Sequence, residues 1–277
     1  MSGAAADRRT VLVTGANSGI GLATALEASR RGFDVVGSVR SRAKARAVTD
    51  AARDAGVRVR TTLLDVDDAE RCRTVIRRLR PWGLVNNAGT SFTGAVEDVT
   101  DEEARAALET LAIAPIRLAR LAIPHMRETG GGRIVNVSSI YGVATTPLTG
   151  WYQGAKHALE AVSDALRMEV ARDGIAVVLV EPGAFRTGIW NEANEDLAGR
   201  AGSRYEGAYR RTRLGIRLTG PLLGSPERVG KVIVGALLAR RPRHRYLLGP
   251  DAVALAAAMR LTSSQVRDAV SRATLGL

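Results

Sequence analysis

Val11-Leu12-Val13-Thr14-Gly15-Ala16-Asn17-Ser18-Gly19-Ile20-Gly21 is the stretch whose reading decides the fold. Three apolar residues make a short strand, a glycine-rich turn follows, and residues 19–31 continue with helical periodicity. Glycines between a strand and a helix allow a tight turn. They also let backbone N–H groups approach phosphate oxygens at the helix N-terminus. Gly15, Asn17, Ser18, Gly19, Ile20 and Gly21 are therefore candidates for a dinucleotide cradle. The spacing is G-x-x-x-G-x-G, not G-x-G-x-x-G.

The pattern then repeats outward. Val35-Val36, residues 57–64, Leu84-Val85, residues 134–137 and residues 177–180 read as strands rich in Val, Leu and Ile, as strands covered on both faces require. Residues 42–55, 68–80, 101–128 and 152–173 read as the helices between them. This alternation predicts an α/β fold, a single Rossmann-type doubly wound parallel sheet with helices on both faces. Gly130-Gly131-Gly132 stops the fourth long helix. Residues 188–224 are polar and too long for an ordinary connection, and are expected to form a mobile substrate lid. Ser225-Pro226-Glu227 supplies an N-cap and a proline at the first turn of a helix running to about Arg240. Residues 245–248 read as a last strand. Asp251 to Met259 and Ser263 to Arg272 read as helices of a C-terminal extension at 250–277. Residues 1–277 are expected to form one domain.

Composition sets bounds. With 277 residues and 45% hydrophobic content the chain can bury one large core. Cys72 is the only cysteine, so no intrachain disulfide forms and a reducing compartment is expected. The segment before Thr10 has no apolar core and does not read as a signal peptide. Residues 134–155 carry no charge but include Asn136, Ser138, Ser139, Pro147 and Gln153, and do not read as a membrane span. A cytoplasmic protein is expected. The net charge is +12, yet the arginines are spread along the chain without interleaved aromatics, which argues against nucleic acid as a partner. His125, His157 and His244 are too dispersed for a metal site.

An acidic residue at the end of the second strand would hold a ribose 2′-hydroxyl, whereas arginine suits a 2′-phosphate. The sequence there is Ser38-Val39-Arg40-Ser41-Arg42, so Arg40 predicts NADP(H) in preference to NAD(H), with Ser38, Ser41 and Arg42 as helpers. Far downstream, Tyr152 and Lys156 stand four residues apart, after Ser139. Lys156 is one of only three lysines, with Lys44 and Lys231.

These residues, taken in order, resemble the short-chain dehydrogenase/reductase family. The resemblance rests on the glycine motif, Asp65-Val66, Asn86-Asn87-Ala88-Gly89, Gly132 to Ser139, Tyr152-x-x-x-Lys156, and Pro182-Gly183 followed by Thr187. It covers residues 10–190 and more loosely 225–250, and residues 158–167 with the C-terminal extension look similar to hydroxysteroid and retinol dehydrogenase-like members. It implies that Asp65 and Val66 contact adenine, that Asn87, Ala88 and Gly89 flank the cofactor, that Pro182 and Gly183 bind it, and that Thr187 lies near the nicotinamide or its phosphates. It implies Ser139, Tyr152 and Lys156 as the catalytic set. A phenol near pKa 10 is a poor proton shuttle at neutral pH. A nearby ammonium and an oxidised nicotinamide are expected to lower that value. Ser139 would hold the substrate oxygen, Tyr152 would exchange its proton, and Lys156 would also bind the nicotinamide ribose. Ser138 is the rival to Ser139. Tyr141 lacks a lysine four residues on.

Leu111 occupies the position where family members often carry an asparagine that helps hold a relay water. Pro147 to Tyr152, Val143, Phe185, Ile189 and Trp190 are expected to edge an apolar cleft. A small-molecule substrate, a hydrophobic ketone or secondary alcohol, follows from that reading, and the 188–224 segment is a source of arginines for an anionic group. Two alternatives stay open: a ketoacyl or polyketide-type reductase, and a non-catalytic dinucleotide-binding sensor or scaffold. Helices 101–128 and 152–173 pair subunits in many family members, implying a homodimer or homotetramer. Ala104, Ala107, Leu108, Leu111 and Ile113 would pack in that interface or inside the subunit.

Overall fold

Seven strands, β1 (Thr10–Val13), β2 (Asp34–Val39), β3 (Val59–Leu63), β4 (Gly83–Asn86), β5 (Gly132–Val137), β6 (Ile175–Pro182) and β7 (Arg245–Leu248), form one parallel sheet in the order β3-β2-β1-β4-β5-β6-β7. This computed structural model describes residues 9–220 and 223–277. The signal-peptide reading therefore concerns residues outside the described ones, as do residues 221 and 222 of the expected lid. The helices are α1 (Gly19–Arg30), α2 (Arg42–Asp54), α3 (Ala69–Leu79), α4 (Asp101–Leu108), α5 (Ala114–Glu128), α6 (Gly150–Glu169), α7 (Ile189–Ala198), α8 (Glu206–Thr219), α9 (Pro226–Leu238), α10 (Pro250–Leu261) and α11 (Ser264–Leu275). No described helix is long and apolar enough to cross a membrane.

Alternation along each strand sends side chains to two separate cores. Val11, Val13, Val35 and Val85 face Ala25 and Ala28 of α1, Val48 of α2, and Val229 and Ile233 of α9. Leu12, Leu84 and Ile134 face Val75 and Ile76 of α3 and Leu118 and Met126 of α5. Each fully buried Val, Leu or Ile contributes about 1.5–3 kcal/mol relative to exposure, so the two layers hold the sheet firmly. Strand order reverses between β1 and β4. The carboxyl ends of those strands splay apart there, and in open α/β sheets that crevice is where ligands bind.

Three expectations change. Residues 101–128 are not one helix: α4 and α5 are joined by a π-helical turn over Glu109–Ile113, where the Ala114 N–H bonds the Glu109 carbonyl five residues back. The wide turn carries an ion pair from Glu109 to Arg117 and a hydrogen bond from Thr110 Oγ1 to Asp67 at 2.7 Å. It keeps Leu111 buried. Ala104 and Ala107 are also buried within the chain, whereas Ile113 is half exposed.

The segment expected as a mobile lid carries two helices, α7 and α8, which bury Ala193, Leu197, Ala208 and Tyr209. It is tied to the loop after β4. Glu192 accepts from Thr90 Oγ1 at 2.7 Å and Ser91 N at 3.1 Å, and Asp196 accepts from Thr93 N at 3.1 Å. Arg200 donates to Thr93 O at 2.9 Å and to Glu103 at 2.8 Å. Charge-assisted bonds of this kind are stronger than neutral ones, and they outweigh the polar, glycine-containing composition. Finally, the Ser225 hydroxyl bonds the Glu227 carboxylate and does not cap α9.

Candidate active site

Thr14, the last residue before the glycine turn, joins the two strand ends that frame the crevice. Its hydroxyl accepts from the N–H groups of Asn87 and Ala88, each at 2.9 Å. Asn87 answers with its amide, donating to Thr14 O at 2.9 Å and Gly15 O at 3.3 Å. Gly15 has φ +64°, and a Cβ there would lie 2.9 Å from Ala88 Cα. The turn can approach the β4 loop only without a side chain. Gly21 sits behind the turn, where a Cβ would run into the Gly15 carbonyl oxygen and the Asn87 amide. Its place is in packing the first turn of α1 against the loop, away from the cavity.

A cavity of about 620 Å³ opens over this crevice. Gly15, Asn17, Ser18, Gly19 and Ile20 line one side, with Arg40, Asp65, Val66, Asn87, Ala88 and Gly89. Ser139, Tyr152, Lys156, Pro182, Gly183 and Thr187 line the other. Sequence positions from 15 to 187 thus meet in one concave space. Of the helpers expected beside Arg40, Ser38 lines the cavity; Ser41 caps α2 through a 3.3 Å bond from Lys44 N, and Arg42 lies off the lining. Lys44 lines it instead. Its signal was available: it is one of three lysines and stands one helical turn past Arg40.

α6 positions the ionisable side of the site. Tyr152, Lys156, Glu160 and Asp164 follow at intervals of four and share a helical face. Lys156 is buried and its Nζ donates to Val137 O at 2.9 Å. It lies 5.9 Å from the centre of the Tyr152 ring. Burial lowers the Lys156 ammonium to about 8, with Glu160 pulling the other way. Burial pushes the Tyr152 phenol up to about 12, against the pull of the nearby Ser139 hydroxyl. The sequence expectation of a lowered phenol is thus corrected for the protein alone: desolvation outweighs that pull. Arg245, from β7, gathers the far end of the row, donating to Glu160 at 2.9 Å, Asp164 at 2.8 Å and Glu181 at 3.0 Å.

The opposite wall is apolar where it meets Tyr152. Phe185, Ile189 and Trp190 line it, whereas Val143, Pro147, Leu148 and Trp151 do not. Leu148 turns into a separate cluster with Ala95, Leu197 and Tyr209. Tyr141, which the sequence set aside, stands in the cavity, edge-on to Tyr152 at 6.5 Å. Asp251 of α10 also reaches it and accepts from Ala184 N at 2.6 Å. No local pattern announces Asp251, since it arrives from a distant helix start. Ser138 Oγ and Glu160 Oε1 are buried without a partner among the described residues.

Residues 9–198 match the family model described as short chain dehydrogenase. The chain belongs to the short-chain dehydrogenase family. Retinol dehydrogenase 5 of Homo sapiens is 33% identical over 263 residues, 87% of this chain and 81% of that protein. The NADPH-dependent 3-dehydrocapnine reductase of Ornithobacterium rhinotracheale is 29% identical over 273 residues, 95% of each chain. The crystal structure of a short-chain dehydrogenase from Streptomyces avermitilis superposes with a TM-score of 0.78 at 33% identity, covering 97% of both chains. This short-chain dehydrogenase is accordingly an NAD(P)-dependent oxidoreductase.

The cavity fits a dinucleotide on its own terms. The glycine turn provides a floor without side chains, two cations stand at the end of β2, and the buried ammonium faces the other half.

Proposed function

We propose that this short-chain dehydrogenase transfers hydride between NADP(H) and an apolar ketone or secondary alcohol, with Ser139, Tyr152 and Lys156 as its catalytic residues. The observation that carries the reading is their convergence. The Ser139 hydroxyl, the Tyr152 phenol and the Lys156 ammonium share one cavity with the glycine turn and the Arg40/Lys44 pair. The NADPH dependence of the relative from Ornithobacterium rhinotracheale supports the cofactor assignment, and the likeness to human retinol dehydrogenase supports an apolar substrate.

The nicotinamide, when bound, supplies or accepts the hydride. In reduction, the Ser139 hydroxyl holds the carbonyl oxygen and Tyr152 gives its phenolic proton to that oxygen as the carbon accepts hydride, leaving an alcohol and a phenolate. The buried Lys156 ammonium stabilises the phenolate and holds the ribose. Phe185, Ile189 and Trp190 exclude water from the substrate side. Asn17, Ser18, Gly19 and Ile20 hold the phosphates, Asp65 and Val66 the adenine, and Thr187 with Pro182 and Gly183 the nicotinamide side. Arg40 and Lys44 hold the 2′-phosphate. Residues 1–277 form one functional unit in which 188–224 covers the substrate, and half-exposed Ile113 on the α4–α5 face is available to a subunit contact. The π-helical turn favours an enzyme over a silent binding protein. Such turns concentrate at functional sites, and this one retains backbone irregularity where the asparagine is replaced by Leu111.

Titration with NADPH and NADH, followed by a panel of ketones monitored by consumption of reduced cofactor, tests the reading. NADPH preference with ketone-dependent turnover is the expected result. Binding of neither nucleotide would overturn it.

A further inference from the structure

A second cavity, of about 730 Å³, lies between α7 and α8, outside the crevice. Its lining includes four arginines, Arg186, Arg210, Arg213 and Arg217, and among the described residues no carboxylate. Arg117, Arg200 and Arg245, which anchor other parts of the fold, each pair with a carboxylate. Here Arg210 reaches only Glu206, at 3.9 Å, Arg186 has Glu227 in its neighbourhood, and Arg213 and Arg217 have no carboxylate within 4.0 Å among the described residues. Arg210, Arg213 and Arg217 recur at helical spacing and so present their charges on one face of α8. All four are exposed, and an anion in the hollow would meet guanidinium groups from α8 and from the loop after β6.

The second cavity adjoins the first across shared walls. Thr187, Trp190 and Ile216 line both. Trp190 is fixed by its indole N–H, which donates to Phe185 O at 2.7 Å. Leu214 and Leu223 add apolar surface beside the guanidinium groups. A substrate long enough to reach from Tyr152 beyond Trp190 and Ile216 would cross apolar surface and end among these arginines. Planar guanidinium groups suit carboxylate, sulfonate and phosphate oxygens alike, by paired N–H donation.

We propose that the cavity between α7 and α8 is a subsite for the anionic end of the substrate, which is an apolar carbonyl compound carrying a carboxylate, sulfonate or phosphate remote from the reacting carbon. Arg213 and Arg217 are its specificity-determining residues. This rests on the reductase reading above for the position of the reacting carbon, and adds the chemical class of the far end.

The test compares a homologous series of medium-chain methyl-ketone carboxylates with their methyl esters, using NADPH and the full-length chain. In parallel, calorimetry measures binding of decanoate, decyl phosphate and decanol, which requires no turnover. The expected result is a lower KM for carboxylates than for esters of the same length, weakened by added salt. In Arg213→Ala/Arg217→Ala the carboxylate-to-ester preference falls by about tenfold or more, as loss of two charge-assisted contacts implies, with NADPH affinity unchanged. Decanoate and decyl phosphate should bind more tightly than decanol, and the same variant should abolish that difference. Equal use of acids and esters by the wild type would overturn the subsite while leaving the reductase reading intact. If no ketone is reduced, the reductase reading fails and calorimetry alone decides. Anion-selective binding lost in the variant sustains the subsite, and equal binding of decanoate and decanol sinks it. A circular dichroism melt of the variant shows that the fold is retained; should it not be, Arg213→Gln/Arg217→Gln replaces it.

Discussion

Lys156 Nζ donates to the Val137 carbonyl at 2.9 Å, so the last residue of β5 holds the ammonium that α6 brings to the cavity. The carboxyl end of a central strand and a helix face fix one charge between them. Burial lowers that ammonium to about 8, while the Tyr152 phenol is pushed up to about 12. The first group to lose its proton as pH rises is therefore the lysine. For ketone reduction, kcat/KM is expected to be level below pH 8 and to decline above it, by up to about tenfold per pH unit. Lys156→Arg, which stays charged, should move the decline upward even if its rate is lower. A pH–rate profile of the two proteins measures this, and an unchanged basic limb in the variant would reject Lys156 as its source.

Removing the phenolic oxygen tests the proton donor directly. Tyr152→Phe should lose about 10²–10⁴-fold in kcat for ketone reduction, the usual worth of a positioned acid. NADPH binding, followed by quenching of protein fluorescence, should remain within a few-fold. Turnover intact in the variant would remove Tyr152 from its role.

Arg40 and Lys44 stand where β2 ends, on the wall of the cavity. Arg40→Ala should weaken NADPH by about tenfold while leaving NADH nearly unchanged, in keeping with loss of one exposed charge-assisted contact. Lys44→Ala should act in the same direction, and the double variant should bring the two dinucleotides together. Calorimetric Kd values for both cofactors are the measurement.

Leu111 is buried, with Cδ2 only 3.0 Å from where a Gly89 Cβ would stand. Leu111→Asn places an amide at that buried, closely packed position without supplying partners. It should cost about 1–3 kcal/mol of stability, read as a lower urea midpoint at unchanged m-value. A variant as stable as the parent would show that the π turn already offers hydrogen bonds to a polar residue there.

Glu181 provides a stability signature independent of catalysis. Burial first, and the neighbouring Glu160 second, raise its carboxyl from an ordinary 4.5 to about 7, against the pull of Arg245. The unfolded chain releases this proton near 4.5 and the native chain holds it to about 7. The native state thus binds more protons between these values, and this group's contribution to stability falls as pH rises through that window. Glu181→Gln should flatten the fall, by on the order of 1–3 kcal/mol across it. Urea unfolding at pH 4.5 and pH 7.5 compares the slopes.

Much of this was legible in the linear chain because its signals are local. Val11-Leu12-Val13 before Gly15, Gly19 and Gly21 is a strand, a turn and a helix start within a few residues, and the same alternation carried through to β6. Tyr152 and Lys156 share a face because helical spacing alone puts them there. The wide turn at Glu109–Ile113 was hidden, since its polar side chains find partners in Asp67, distant in sequence, and in Arg117 of α5. So were α7 and α8, whose apolar faces are thin and whose anchoring by Glu192, Asp196 and Arg200 spans about a hundred residues of chain. The sign of the Tyr152 shift was hidden for the same reason. The identity of a neighbour can be read from sequence, but desolvation depends on every element packed around the phenol. Periodicity and turn chemistry determined the fold class, and the family resemblance supplied most of the candidate residues of the site. Only the tertiary structure decided how wet each charge is, and which arginines of the 188–224 segment are left without carboxylates around a second hollow.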